Sequence, residues 1–179
     1  MAAVDLFTEQ GYDATTVAEI AERAGVTRST FFRHFSDKRE VLVAGQESLS
    51  RLLVEGVAEA PPGATPLEAV AEGLARASGA MGPLNRELGP RLRAAVAASA
   101  ELQERDALKS VGMAAAVTGA LVERGVPDAA AHLAAEMGVL AFKLGYARWS
   151  EGDRAEDEPL APHTAAALQE LVAASASLS

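Results

Sequence analysis

Apolar and polar positions recur along this chain with the period of a helix. Between Thr16 and Gly25, apolar residues fall at Val17, Ile20, Ala21 and Ala24, the i, i+3, i+4, i+7 spacing of a one-faced helix. Thr16 precedes the run and Glu19 follows three residues later. That pair predicts a capping box, in which each side chain satisfies the other residue's free backbone N–H. Gly25 stops the helix, and Thr27 can cap a second one running through about Phe35. Upstream, Asp5 to Gln10 reads as the end of a helix stopped by Gly11.

The rest of the chain repeats these signals. Ser36 or Asp37 predicts the cap of a long helix reaching about Ala58, and residues 59–64 read as a linker. Thr65 with Glu68, and Pro66 between them at the favoured first position, start a helix to about Met81. Gly82-Pro83 predicts a break, and Gly89-Pro90 is expected to disturb the start of the next helix, which ends near Ser99. Further helices are expected from about Glu101 to Arg124, from Pro127 to about Trp149, and from His163 to about Ser175, with an acidic loop over 150–162. No strand-like alternation or internal repeat stands out. The pattern predicts an all-α fold of about nine helices. A three-helix head with a helix-turn-helix spans 1–45, and a C-terminal helical bundle spans 46–179.

Composition supports this. Apolar residues make up 49% of the chain but aromatics only 4%, and alanine, the best helix former, dominates. Cysteine is absent, which excludes disulfides, thiolate zinc sites and cysteine catalysis. The N-terminus lacks the basic and apolar regions of a signal peptide. The uncharged stretch 110–122 is too short to span a bilayer and holds two glycines. A cytoplasmic protein with no membrane partner is expected.

Net charge is −9, which by itself argues against nucleic acid. Its distribution changes the picture. Within residues 1–45 all five basic side chains, Arg23, Arg28, Arg33, Lys38 and Arg39, lie between 23 and 39, where Asp37 is the single acid. A local basic patch on an acidic body would have to orient the molecule on a polyanion.

Gly-Val-Thr between two short helices fits a helix-turn-helix, with Gly25 supplying the positive φ of the turn. Phe31 and Phe35 are expected to face the core with Val26 and Ile20. Arg28, Ser29, Phe32 and Arg33 then lie on the opposite face, as a major-groove helix requires. Arg28 can pair bidentately with guanine, and Thr30, His34 and Lys38 can hold phosphate oxygens. The helix starts at Thr16 and Asp37 would add oriented N–H groups. Helical proteins with no DNA partner also carry surface arginines, so periodicity alone leaves both readings open.

The segments Phe7-Thr-Glu-Gln-Gly-Tyr12, Thr15-Thr-Val-Ala-Glu-Ile-Ala-Glu-Arg-Ala-Gly-Val26, Thr30-Phe-Phe-Arg-His-Phe35 and Lys38-Arg-Glu-Val-Leu42 closely resemble the TetR/AcrR family of bacterial transcriptional regulators. Beyond Leu42 the resemblance rests on helix count, lengths and order. It implies a DNA-binding head and a ligand-binding and dimerisation body. The expected partners are a palindromic double-stranded operator, a second copy of the chain and a small organic effector whose binding releases the DNA. The family's base-reading positions fall on Thr27, Arg28 and Ser29, and its phosphate-contacting positions on Thr16, Thr30, Phe32, His34 and Lys38. Two departures stand out. Phe32 replaces a common Tyr and lacks the phenol, leaving apolar contact with a thymine methyl or sugar. The family's first helix usually starts earlier, after a basic arm, so the sequence enters that helix midway, as in a chain that is truncated or numbered late.

In the body, Ala131, Ala134, Ala135, Gly138, Ala141 and Gly145 form a side of small residues that lets another helix approach closely. Leu133, Met137, Leu140 and Leu144 form an adjoining apolar stripe, and Leu168, Leu171 and Val172 extend it on the last helix. A four-helix dimer interface built on Ala134, Gly138, Ala141, Gly145, Leu168, Leu171 and Val172 is expected, with internal core as the competing reading. Met81, Met113, Phe142, Tyr146 and Trp149 are candidates to line a ligand pocket, although such residues at helical spacing also build cores. The breaks at 82–83 and 89–90 are expected to open that cavity. Arg91 and Arg93 are candidate anchors for an acidic ligand.

No catalytic or cofactor motif is present, and His34, His132 and His163 lie too far apart in sequence for the usual helical metal pair. Neither enzyme chemistry nor a cofactor nor a metal is expected. The competing function is a helical small-molecule-binding or scaffolding protein with a degenerate head.

Overall fold

A computed structural model describes residues 2–43, 46–152 and 158–178. These residues form helices only: α1 (Ala2–Gln10), α2 (Val17–Arg23), α3 (Arg28–His34), α4 (Glu40–Val43), α5 (Gln46–Glu59), α6 (Pro66–Gly79), α7 (Pro83–Ala97), α8 (Ala100–Glu123), α9 (Asp128–Glu151) and α10 (Ala161–Ala176). The long helix expected over 37–58 is described as α4 and α5, and residues 44–45 between them lie outside the described residues, as do 153–157 of the expected acidic loop. Both capping boxes form, at Thr16–Glu19 and Thr65–Glu68.

Two expectations are corrected. Gly89-Pro90 does not disturb α7, which runs through both residues. Pro83 takes the first position of that helix, and Gly82 N–H donates to Asn85 Oδ1 at 3.0 Å. Gly89 lets α7 close on α9: a Cβ there would fall 2.6 Å from Ser150 Cβ. Tyr146 O–H then donates to the Asn85 carbonyl at 2.5 Å. The proline therefore sits in a tightly held helix, not at an opening. The small-residue side of α9 is likewise not a free surface. Ala134 and Ala141 are buried, a Cβ on Gly138 would meet Val70 of α6 at 2.6 Å, and one on Gly145 would meet the Thr164 backbone of α10 at 2.7 Å. Leu168 is buried with them. Internal packing has claimed these residues because only Ala and Gly let three helices converge on one side of α9. Leu171 is half-buried and Val172 exposed.

The body core gathers Leu53, Val57, Val70, Leu74, Met113, Val117, Leu121, Phe142 and Trp149 from α5, α6, α8 and α9. Its tightest crossing joins α5 and α6, where a Cβ on Gly56 would lie 2.6 Å from Gly73 Cα and one on Gly73 would lie 2.7 Å from the Leu53 carbonyl oxygen. Ser78 Oγ and Thr164 Oγ1 form a buried hydroxyl pair at 3.1 Å across α6 and α10.

A second cluster holds Leu6, Phe7, Tyr12, Ile20, Ala21 and Phe31 of the head. Ala95 of α7 and Leu102 of α8 are members of that same cluster. A head of roughly 40 residues sits at the lower limit for a self-sufficient core, so two body residues complete it.

The Gly56–Gly73 crossing gives a direct test. Gly73→Ala places a methyl against backbone that no side-chain rotation can clear. It is expected to lower stability by about 1–3 kcal/mol, read as a shift in urea midpoint at constant slope.

Candidate nucleic-acid interface

The turn between α2 and α3 is fixed by its backbone. Gly25 has φ of 69°, Gly25 N–H donates to the Glu22 carbonyl at 3.0 Å, and Val26 N–H donates to the Ala21 carbonyl at 2.9 Å. This pair of bonds is a Schellman stop, which leaves Val26 exposed instead of in the core as the sequence pattern had it. Thr27 then caps α3, accepting from Thr30 N–H at 3.1 Å. Phe31 is buried against Phe35 with ring centroids 5.3 Å apart, so that side of α3 faces the head core.

The other side of α3 is open. Thr27, Arg28, Ser29, Arg33 and His34 are exposed, Thr30 is half-buried, and Phe32 shows 51% of its surface. The structure thus brings the three expected base-reading residues and the flanking Arg33 and His34 onto one continuous surface. Phe32 stands among them, its ring edge-on to Phe31 at 5.6 Å. An aromatic this exposed, in a row of cations and hydroxyls, suits contact with a thymine methyl or sugar. Thr16 is exposed nearby, but its hydroxyl and N–H both bond Glu19 Oε2, at 2.8 and 2.7 Å. Those bonds hold the Glu19 carboxyl below its usual range.

The five basic residues of the head divide. Arg23 forms a two-bond pair with Glu9 at 3.0 and 2.8 Å. Arg39 pairs with Asp37 and reaches Glu101 at 3.4 Å. Lys38 Nζ donates to the carbonyls of Tyr12 at 2.6 Å, Thr15 at 3.0 Å and Asp13 at 3.4 Å, and lies 4.2 Å from the centre of the Tyr12 ring. The ammonium's three protons are spoken for by the α1–α2 turn, which corrects the expectation of a lysine free to hold phosphate. The expected anion site at Asp37 is also filled, since its own carboxylate accepts the Arg39 and Glu40 N–H groups. Arg28 and Arg33 alone among the head's basic residues have no ion pair or carbonyl partner within the described residues.

In the body, the proposed pocket residues meet each other. Phe142 stacks on Tyr146 at 6.1 Å, and Tyr146 lies 5.8 Å from Trp149. Trp149 donates Nε1–H to the Glu158 carbonyl at 2.6 Å. Met113 is buried and Met81 half-buried against the same core. A surface depression of about 310 Å³ lies elsewhere, over Gly56, Glu59, Glu72, Ala75 and Arg76. Arg91 pairs with Asp5 at 2.8 Å, and Arg93 with Ser150 at 2.9 Å and Glu151 at 2.7 Å. Sequence reasoning missed Tyr12 and Glu101. Their bond, 3.2 Å between the Tyr12 hydroxyl and Glu101 Oε1, joins residues too far apart in sequence for any local pattern to signal. No helix among the described residues is long and apolar enough to cross a membrane, and no group of three acidic or histidine side chains there could hold a metal ion.

Residues 1–44 match the family described as bacterial regulatory proteins, tetR family. The transcriptional regulator TcmR of Streptomyces glaucescens is 40% identical over 68 residues, covering 38% of this chain and 30% of that protein. The transcriptional activator FasR of Mycolicibacterium smegmatis is 40% identical over 60 residues, covering 34% and 27%. The matched segments span less than a third of these curated relatives. Among solved structures, FadR of Bacillus subtilis in complex with stearoyl-CoA aligns with 96% of this chain and 94% of its own at a TM-score of 0.60 and 22% identity. FadR of Thermus thermophilus, a repressor in complex with lauroyl-CoA, aligns with 96% and 90% at 0.55 and 23%. Residues 1–44 are thus similar to the heads of tetR-family regulators, and over nearly all its length the chain has the fold of the two FadR structures.

Both tyrosines of the chain have raised pKa values. Burial first, then the charge and hydrogen bond of Glu101, push the Tyr12 phenol from 10.0 to about 12, and burial raises Tyr146. A phenol raised on folding ionises first in the unfolded chain. Its contribution is complete below pH 10 and is lost as pH approaches about 12. Alkaline titration should show phenolate absorbance appearing together with loss of helix, and Tyr12→Phe should move that loss to higher pH.

Proposed function

We propose that this chain, with its tetR-family head, is a cytoplasmic ligand-responsive transcriptional repressor that binds a palindromic operator as a homodimer. The division proposed is a reading head over 1–45 and a ligand-binding and dimerising body over 46–179. The observation that carries the reading is the open face of α3, where Thr27, Arg28, Ser29, Phe32 and Arg33 are presented together by the Gly25 turn. Arg28 takes the role of guanine reader, Phe32 the apolar contact, and Thr30, Arg33 and His34 the phosphate grip. Thr16, at the start of α2, would contact phosphate by turning its hydroxyl away from Glu19. No catalytic step and no cofactor are assigned.

Dimerisation is assigned to the outer side of α9 and α10. Leu133 and Leu140 are 61% and 45% exposed and Val172 is 38% exposed, with Met137, Leu144 and Leu171 half-buried beside them. An apolar surface of this kind on adjoining antiparallel helices suits a two-fold partner, and a dimer is what a two-fold operator needs. The residues that make it are the stripe beside the small residues, not the small residues themselves.

The effector is assigned to the body. Phe142, Tyr146 and Trp149 pack on one another in the body, so an organic ligand enters by parting that group or the contacts of α7 on α9. A ligand that binds the parted form better shifts the population away from the DNA-binding one. Acyl-CoA thioesters are the first class to screen, because both FadR structures named above hold one and this interior is likewise apolar.

Selection of bound duplexes from a random pool tests the reading. An enriched palindrome is expected. Arg28→Ala should cost about 1–3 kcal/mol and relax one base position, while Arg33→Ala should weaken all sequences alike. With one phosphate-gripping arginine, Arg33, per head, the slope of log K against log salt should be about −2 for a dimer. No enrichment, or binding indifferent to salt, would leave the head a scaffold on a small-molecule-binding protein.

A further inference from the structure

We propose that Glu101, a residue of the body, is a positioning residue for the reading head, and that it sets the spacing of the two half-sites the dimer accepts. The inference rests on the operator reading above.

Glu101 lies in the first turn of α8, whose N-cap is Ser99. Its Oε1 receives two donors from segments that lie on either side of the helix-turn-helix in sequence. Tyr12, in the turn between α1 and α2, donates its hydroxyl at 3.2 Å. Arg39, just beyond the turn after α3, donates Nη1–H at 3.4 Å while its Nε–H holds Asp37 at 2.7 Å. One carboxylate oxygen therefore ties together the segments that enter and leave the helix-turn-helix. Lys38 braces the arrangement from within by capping the Tyr12 and Thr15 carbonyls under the Tyr12 ring. The phenol, with its pKa raised to about 12, remains a donor throughout the neutral range.

The neighbouring contacts explain why a polar clamp is needed. Leu102, next to Glu101, is buried in the head core with Ala95. Apolar burial holds the head on the body but has little directional preference, so a head seated on Leu102 and Ala95 alone could roll about that seat. Hydrogen bonds are directional, and two of them converging on one oxygen fix the roll. Arg91–Asp5, at 2.8 Å between α7 and α1, adds a third tie away from the recognition face. In a two-fold dimer the roll of each head determines how far apart the two recognition helices stand, and hence the half-site spacing that both can engage. Glu101 touches no base in this arrangement. It acts through Tyr12 and Arg39.

The test uses the full chain and a duplex library carrying two copies of the parent's selected half-site, with the spacer between them varied. The parent should enrich a narrow band of spacers. Tyr12→Phe deletes one oxygen and keeps the ring on Phe7 and Lys38. Glu101→Ala deletes the acceptor. Each should reduce the preference for the best spacer over its neighbours by about twofold to fivefold per head, the range of a partly exposed polar contact. The half-site sequence and the melting temperature should stay those of the parent, and the double variant should broaden the band no further than Glu101→Ala alone. A spacer distribution unchanged in both single variants overturns the inference while leaving the operator reading intact, and so does a change in half-site sequence at constant spacing. If the parent enriches no paired half-sites, the operator reading itself fails and the inference falls with it. Should Glu101→Ala fail to fold, Tyr12→Phe carries the test.

Discussion

Helix separation is the constraint from which most of this structure follows. With aromatics at 4% of residues, the core cannot be filled by large side chains, so the helices must come close. They do so at glycines: Gly56 against Gly73, Gly138 against Val70, Gly145 against Thr164, and Gly89 against Ser150. At each of these contacts an added methyl would overlap its neighbour: backbone at Gly56–Gly73 and Gly145–Thr164, and a side chain seated on the glycine at Gly138–Val70 and Gly89–Ser150. Alanine fills the space between, at Ala69, Ala77, Ala131, Ala135, Ala141 and Ala167. Of the large side chains, Phe142 stacks on Tyr146, and Tyr146 lies tilted against Trp149.

Close packing also fixes what is left outside. Because α6, α8 and α10 take up the small-residue side of α9, the adjoining edge leaves Leu133 and Leu140 exposed among the described residues. The assignment of a dimer surface thus depends on the same glycines that close the core. It also ties effector entry to packing. Under the effector reading proposed above, a ligand would have to separate these closely packed helices, and α7, whose Ala95 belongs to the head cluster, joins them to the head. Rigid, closely packed helices respond to such a wedge by moving as units, since there is little slack in which to absorb it.

Much of this was legible in the sequence where a local rule has a local cause. The capping boxes at Thr16 and Thr65 formed because both partners lie within one helical turn, and the stops at Gly25 and Gly125 formed because only glycine takes a positive φ there without strain. The open face of α3 followed from the same periodicity. What failed was decided by tertiary context. Pro90 reads as a breaker, yet α7 tolerates it because α9 holds that stretch from outside. Ala and Gly at helical spacing read equally as a dimer seam or a core seam, and only the path of α10 back across α9 decides which. Val26 looked like core until the Schellman stop turned it outward. Lys38 looked like a phosphate ligand, but three carbonyls of the preceding turn surround its ammonium.

Charge raises a last question, namely how a chain of net charge −9 can approach a polyanion. Pairing answers it more fully than the count does. Arg23, Arg39, Arg91, Arg93 and Arg148 each sit against a carboxylate of the same chain, so their fields are largely cancelled at short range. Arg28 and Arg33 keep theirs, and both lie on the open face of α3. At physiological salt, fields decay over about 8 Å, so a phosphate arriving at that face is influenced by those two arginines more than by the acids of the distant body. The body's negative charge still opposes any other orientation. An acidic body of this kind therefore weakens non-specific adhesion through its own surface while leaving one face available. In the operator reading proposed above, that shifts the burden of recognition from bulk electrostatics to the base contacts assigned to Arg28 and its neighbours, and to the accuracy with which the head is held.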